Sequence, residues 1–126
     1  MTTVIIIVYN KSIMNKLEKL EDFLRHSILF LYYGELFSKK QREYLELYFE
    51  ENSSFSEIAK KYKITRQAVY DNIKRGIKQL DEYEEKLKIF EKEKELKNKL
   101  LFLKSNFTLE NLEKIIEEFD YDENLE

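Results

Sequence analysis

The sequence predicts an all-α protein, and three features of its composition carry that prediction. The chain has 126 residues and no proline, and its two glycines, Gly34 and Gly76, are too few for the turns of a strand-rich fold. Glu, Lys and Leu are abundant, and these residues favour helix. The proportions, 43% apolar and 37% charged, indicate a soluble globular chain that is richer than average in charge.

The N-terminal residues contain an apolar run, Val4 to Tyr9, that is too short to span a bilayer, which takes about 20 residues. It has neither a preceding basic segment nor a small-residue cleavage site. We therefore expect no membrane insertion. Helical spacing begins at Met14, so residues 1–13 are interpreted as an extension or a loosely held arm. The alternative is a strand, Val4 to Val8, that pairs onto a partner chain.

A first amphipathic helix is predicted from Met14 to Tyr33, with Gly34 ending it. Its apolar face consists of Leu17, Leu20, Phe23, Leu24, Ile28 and Leu31. His26 lies off that face and is interpreted as a surface or packing residue rather than a ligand.

A second helix is predicted after Ser38, which is well placed as its N-cap. Its inward positions are Tyr44, Leu45, Leu47, Tyr48 and Phe49. A short turn then leads to a serine and a glutamate three residues apart, Ser54 and Glu57, which form a capping box for a helix from Phe55 to Tyr62.

The next break, Lys63 to Thr65, is the three-residue turn of a helix-turn-helix. Thr65 is the expected cap of the second helix of that motif, whose buried line is Val69, Ile73, Ile77 and Leu80. The small Ala59 allows the two helices to cross closely. Lys63 stands where many such motifs have glycine, which implies a backbone penalty.

The C-terminal part is predicted to be a long helical extension. The 3–4 spacing continues through Tyr83, Leu87 and Phe90, fails at Lys94 and Lys97, and is followed by a break at residues 105–108. Thr108 caps a last helix whose inward residues are Leu109, Leu112, Ile115, Ile116 and Phe119, and residues 120–126 form an acidic, frayed tail. We expect an extension at 1–13, a helix-turn-helix domain at 14–80 and an acidic helical extension at 81–126.

Charge is distributed unevenly along this chain of net charge −3. Residues 1–37 are neutral, whereas residues 38–79 carry ten basic and six acidic groups, a net charge of +4. Residues 80–126 carry eight basic and fifteen acidic groups, a net charge of −7. A basic middle segment is what a phosphate-facing surface requires, although ordinary scatter of solvated charge would produce a similar pattern.

The second helix of the motif has the side chains of a DNA reader. Arg66 can bond guanine and Gln67 can bond adenine in two-point contacts, and Tyr70 can contact a thymine methyl group or a phosphate. The remaining candidate contacts are to phosphate: Ser54, Ser56, Lys63, Thr65, Lys74, Arg75 and Lys78. The alternative is that these residues are helix formers on a solvated face, with Tyr70 packed on the protein and Lys74 and Arg75 paired with acidic groups.

Four segments together resemble a known family: Ser38 to Phe49, Ser54 to Ala59, Thr65 to Arg75, and Leu80 to Leu87. They resemble the YlxM family of bacterial helix-turn-helix proteins, and the domain is similar to region 4 of bacterial sigma factors. The resemblance covers about Phe23 to Phe90. It implies a sigma region 4-like helical bundle, a homodimer, DNA binding and a regulatory role in the signal recognition particle pathway.

The expected function is therefore that of a cytoplasmic DNA-binding regulator. The alternative is a protein-interaction module that binds signal recognition particle or transcription components without reading DNA sequence. Dimerisation is expected through Tyr83, Leu87, Phe90 and the last helix, unless that helix folds back over them within one chain. An enzyme is not expected, because the chain has no cysteine, one histidine and no glycine-rich phosphate loop. No metal or cofactor is expected either.

Overall fold

A computed structural model describes residues 2–119, and within them it contains six α-helices, one 3₁₀ turn and no strand, as the all-α prediction requires. The chain divides into two compact units, the first ending at Lys88 and the second beginning at Ile89. The helices are α1 (Thr2–Tyr33), α2 (Lys39–Phe49), α3 (Phe55–Tyr62), α4 (Arg66–Leu87), α5 (Ile89–Ser105) and α6 (Leu109–Glu117), and the 3₁₀ turn is Gly34–Leu36.

The core of the first unit is built around α4, which contacts α1, α2 and α3. Burying a large aliphatic side chain completely contributes about 1.5–3 kcal/mol, so a few such residues determine how the four helices pack. The side chains most deeply buried are Tyr33 and Leu29 of α1, Leu45 of α2, Ile58 of α3, and Val69, Ile73 and Leu80 of α4.

Polar contacts join α1 to α4 beside that core. The Tyr33 hydroxyl donates to Glu84 Oε1 at 2.6 Å, and both residues are buried. Nearer the surface, Asp81 Oδ1 lies 2.8 Å from Arg25 Nη1 and 2.9 Å from His26 Nε2. His26 is thus a packing residue with a carboxylate partner.

The structure corrects the prediction for the start of α1. The helix begins at Thr2, so the alternative of a strand from Val4 to Val8 is wrong. The predicted apolar face is also wrong in large part, because its four leucines, Leu17, Leu20, Leu24 and Leu31, are exposed. The buried residues of α1 are Leu29, Phe30 and Tyr33. The helix carries two apolar faces near its C-terminal end, and α4 packs on the one that periodicity did not select.

The long helix predicted beyond residue 80 has a break that the sequence did not indicate. It continues to Leu87 and ends at Lys88, whose backbone is left-handed (φ 54°, ψ 32°). Nothing in the residue type indicates this break, because such a conformation ordinarily favours glycine or asparagine. Of the predicted stripe, Tyr83 packs against the rings of Tyr33 and Phe37. The division of the chain at residues 13 and 80 stays a prediction.

The second unit pairs α5 with α6 across the break expected at residues 105–108. Thr108 caps α6 as predicted, with its Oγ1 accepting from the backbone N–H of Asn111 at 3.0 Å. However, α6 has no fully buried residue. Of the five side chains expected to face inward, Leu112 and Ile115 are half-buried and Leu109, Ile116 and Phe119 are exposed.

The side chains of α6 are less buried than predicted because a single neighbouring helix covers only one side of an amphipathic face. The acidic tail expected at residues 120–126 lies outside the described residues. Among the helices that the structure describes, none combines the length and the apolar character that crossing a membrane requires.

Candidate nucleic-acid interface

The first helix of the motif, α3, begins at a serine cap as the sequence predicts. Ser54 Oγ accepts from the backbone N–H of Glu57 at 3.1 Å and donates to the Glu57 carboxylate, also at 3.1 Å. Ser56, two residues on, is exposed. A capping carboxylate in the first turn also complements the positive end of the helix dipole. The start of α3 is therefore held by contacts between residues three positions apart.

The turn between α3 and α4 places Lys63 in the left-handed region (φ 55°, ψ 44°), where many such motifs have glycine. For a residue with a side chain this conformation costs about 1–2 kcal/mol. The Lys63 backbone N–H bonds to the Ala59 carbonyl, which compensates in part. Thr65 then caps α4, since its Oγ1 accepts from the backbone N–H of Ala68 at 3.1 Å. The three-residue turn is confirmed.

The inner face of α4 fixes which residues point outward. Val69 and Ile73 are buried, as is Ile58 of α3. Gly76 lies so close to α2 that an added Cβ would come 2.7 Å from Leu45 Cδ2, so this glycine serves close helix packing. Ile77, expected on the buried line, is only half-buried. Since these contacts fix the rotation of α4 about its axis, its opposite face is directed to solvent.

All ten residues predicted to contact DNA are exposed, and they lie at the N-cap of α3, on α3, at the turn or on α4. At about 100° per residue, Gln67, Lys74 and Lys78 lie nearest the middle of the face opposite Val69 and Ile73, with Arg75 to one side. Tyr70 lies at the edge that meets α3, and Arg66 is exposed in the first turn. The members of this surface, called the α4 face below, are Ser54, Ser56, Lys63, Thr65, Arg66, Gln67, Tyr70, Lys74, Arg75 and Lys78.

Aromatic packing orders part of the α4 face. The Tyr70 ring stands edge-on to Phe55 of α3, with 5.8 Å between the centroids. Lys74 Nζ lies 5.7 Å from the centroid of the Tyr70 ring, within the range of a cation–π contact. Tyr70 is 41% exposed, so it packs on the protein and still presents an edge to a ligand.

Two further polar side chains of the α4 face bond along the helix. Gln67 Nε2 donates to Asp71 Oδ1 at 3.1 Å, which leaves the amide oxygen and a second N–H of Gln67 for a base. Arg75 Nη2 donates to Asn72 Oδ1 at 2.6 Å, so its neighbour is an amide rather than the carboxylate considered from the sequence. These contacts hold both side chains close to the helix before any ligand is bound.

The electrostatic character of the α4 face comes from five cationic side chains. Within residues 2–119, Lys63, Arg66, Lys74, Arg75 and Lys78 form no ion pair, and Asp71 is the single carboxylate of α4 between Arg66 and Lys78. Because no carboxylate neutralises these cations within the described residues, their field remains available to an external anion.

A groove beside α4 includes residues of α2, which were not predicted for this surface. Lys40 and Gln41, in the first turn of α2, line the groove together with Arg75 and Lys78 of α4. The groove residues are Ser38, Lys40, Gln41, Tyr44, Ile64, Ala68, Asn72, Arg75, Lys78, Gln79 and Glu82. The basic run that follows the Ser38 cap was the available signal. Only the packing of α2 on α4 brings it beside Arg75.

Comparison of the sequence with known proteins identifies a family and several relatives. A family model matches residues 20–121, that of UPF0122, described as "Putative helix-turn-helix protein, YlxM / p13 like". A UPF0122 protein of Fusobacterium nucleatum is 51% identical over 98 residues, which are 78% of this chain and 95% of the relative. The UPF0122 protein YlxM of Bacillus subtilis is 47% identical over 89 residues, or 68% and 81% of the two chains. The range matched by the family model contains α2, α3 and α4 entirely.

Proposed function

The chain belongs to the UPF0122 family of YlxM/p13-like helix-turn-helix proteins, as the sequence resemblance predicted, and from that membership we propose that it binds duplex DNA through the α4 face. The observation that carries the proposal is a set of five exposed cations, Lys63 at the turn and four on the second motif helix, that form no ion pair within the described residues. In a helix-turn-helix that helix enters the major groove, with its first residues at the base edges.

The contacts divide into those that specify a sequence and those that position the protein. Arg66 and Gln67, in the first turn of α4, are assigned to guanine and adenine, and each such two-point contact is worth about 1–3 kcal/mol of base discrimination. Tyr70 is assigned to a thymine methyl group. Lys63, Lys74, Arg75, Lys78 and the hydroxyls of Ser54, Ser56 and Thr65 are assigned to phosphates.

Titration of a labelled duplex at several salt concentrations tests this assignment. The four cationic phosphate contacts of one chain give a slope of log K against log salt of about −4. The variant Arg66→Ala/Lys74→Ala removes two cations from the α4 face and should weaken binding strongly. The matched control, Lys92→Ala/Lys94→Ala, removes two exposed cations of α5. Binding that is independent of salt, or equal in the two double variants, contradicts the proposal.

The wider biological proposal is a cytoplasmic homodimer that regulates transcription in connection with the signal recognition particle pathway, without catalytic activity or cofactor. The family resemblance supports the pathway, and the two-fold symmetry of most helix-turn-helix binding sites supports the dimer. Selection of bound sequences from a random DNA library tests both points. Two half-sites about one helical turn apart are expected, and a single half-site contradicts the dimer on DNA.

A second candidate function, docking onto a protein of the signal recognition particle or of the transcription machinery, is favoured by the second unit. Phe102 is 57% exposed, and it lines an apolar groove with Ile115 of α6. Binding assays with the purified particle protein and with RNA polymerase test this candidate. Phe102→Ala should abolish binding while Arg66→Ala/Lys74→Ala leaves it intact. Absence of binding at micromolar concentrations eliminates it.

A further inference from the structure

The N-terminal half of α1 has no packing partner in the described structure. Every residue from Thr2 to Asp22 is exposed, a stretch of helix about 30 Å long at 1.5 Å per residue. Most helical stability in proteins comes from tertiary packing of an apolar face rather than from helix propensity. An exposed helix with many apolar residues therefore gains stability when a partner surface covers it.

Six apolar residues of α1 lie at heptad spacing, and Ser27 follows at the next position of the series. Leu17, Leu24 and Leu31 are spaced by seven, and Ile6, Ile13 and Leu20 form a second series three positions out of step with the first. These two series are the a and d positions of a coiled coil. All six side chains are exposed, from 38% at Ile13 to 76% at Leu31.

This stripe and the core-facing side of α1 are different surfaces. At about 100° per residue, Leu24 and Leu31 lie nearly opposite Leu29 and Tyr33, which are buried in the first unit. The helix can therefore keep its intramolecular packing and present the stripe to a partner at the same time. Because the family model begins at residue 20, Ile6, Ile13 and Leu17 precede the matched region.

We infer that α1 pairs with α1 of a second copy of this chain as a parallel, in-register, two-stranded coiled coil. Asn10 occupies an a position, where a buried asparagine pairs with its equivalent and specifies register and strand number at a cost in stability. In an antiparallel pair it would face a d residue of the partner instead. This pairing gives the homodimer proposed above its interface, and it does not depend on DNA binding.

Charge complementarity supports the same orientation. Lys16 occupies a g position, and Glu21 occupies the e position of the next heptad. In a parallel pair, Lys16 of each chain faces Glu21 of the other chain, so two-fold symmetry produces two pairs of opposite charge. Neither forms an ion pair within the described residues of its own chain.

A lipid surface is the competing occupant of this stripe, and the charges disfavour it. Helices that lie in a membrane interface carry a polar face rich in lysine and arginine. From Lys11 to Arg25, four basic residues are accompanied by three acidic ones, Glu18, Glu21 and Asp22. A mixed polar face of this kind is typical of coiled coils instead.

Sedimentation of the full-length chain tests self-association, with Leu17→Glu/Leu24→Glu as the disrupting variant. It adds charge to exposed positions and leaves the core of the first unit intact. The matched control, Ser12→Glu/Asn15→Glu, adds the same charge at c and f positions. We expect a dimer at micromolar concentration, weakened roughly 100-fold or more in the first variant and unchanged in the control. A monomeric wild type, or equal behaviour of the two variants, overturns the inference.

Orientation is tested by crosslinking, because the chain contains no cysteine. Asn10→Cys should form a disulfide-linked dimer under mild oxidation, whereas Asn15→Cys at an f position should remain largely unlinked. Equal crosslinking of the two overturns the parallel register. Lys16→Glu should weaken association about threefold to tenfold, and Lys16→Glu/Glu21→Lys should restore it. A failure to restore contradicts the cross-seam pairing.

A vesicle-binding experiment tests whether a membrane, rather than a second chain, covers the stripe. Co-sedimentation with vesicles of mixed zwitterionic and anionic phospholipid should detect no binding of the wild-type chain. Binding that Leu17→Glu/Leu24→Glu abolishes, together with a monomeric chain in buffer, would assign the stripe to a membrane surface and overturn the inference.

Discussion

Substitution of Tyr33 by phenylalanine probes the contact that joins α1 to α4. The Tyr33 hydroxyl donates to Glu84 Oε1 at 2.6 Å, and the exposed fractions of the two residues are 1% and 7%. Phenylalanine keeps the ring and its packing against Tyr83. The change therefore removes a hydrogen bond to a buried carboxyl group, which costs about 1–3 kcal/mol of the free energy of unfolding.

The measurement is urea unfolding of the full-length chain followed by circular dichroism, with thermal melting as a second readout. For a unit of this size each kcal/mol lowers the melting temperature by about 4–8 °C. Tyr48→Phe is the control, because Tyr48 is half-exposed and its hydroxyl forms no hydrogen bond within the described residues. If the two variants unfold at the same urea concentration with the same slope, the buried pair contributes nothing and the reasoning is refuted.

Three further predictions concern the packing and the turn. Gly76→Val places a side chain against Leu45, and overpacking should cost about 1–3 kcal/mol of unfolding free energy in a urea titration; an unchanged midpoint contradicts close packing. Lys63→Gly removes the left-handed penalty and should stabilise the chain by about 1 kcal/mol by the same assay, whereas destabilisation would contradict the turn geometry. Partial burial, and then the Glu43 carboxylate, raise the pKa of Tyr62 above 10.0, so the free energy of unfolding should fall as pH rises past 10.0. Tyr62→Phe should lessen that fall, and an equal fall in the variant and the wild type would contradict the prediction.

Local features were predictable from the sequence with residue accuracy. The caps Ser38, Ser54, Thr65 and Thr108 were all identified, because each bonds a backbone N–H three positions ahead and requires no distant residue. The positions of α3, the turn and the start of α4 followed from these caps. The exposure of the α4 face followed in turn from the burial of Val69 and Ile73.

Contacts between distant positions were not predictable in this way. The Tyr33–Glu84 hydrogen bond joins residues 51 positions apart, and no pattern of residue types points to it. The groove that brings Lys40 beside Arg75 depends on how α2 packs on α4. The break at Lys88 was missed because a lysine in a charged helical stretch gives no stop signal.

Helix α1 shows the difference between what the sequence predicts and what tertiary packing decides. From Met14 onward its sequence alone predicts a helix with apolar residues at three- and four-residue spacing, since that pattern depends on neighbours within a few turns. Which apolar face is buried was decided by packing, because Leu29 and Tyr33 meet α4 while Leu17 and Leu24 do not. Two faces of similar hydrophobicity gain a similar free energy when they are buried, so the position of α4 determines which face of α1 is buried. That choice leaves the heptad face of α1 exposed to a second chain.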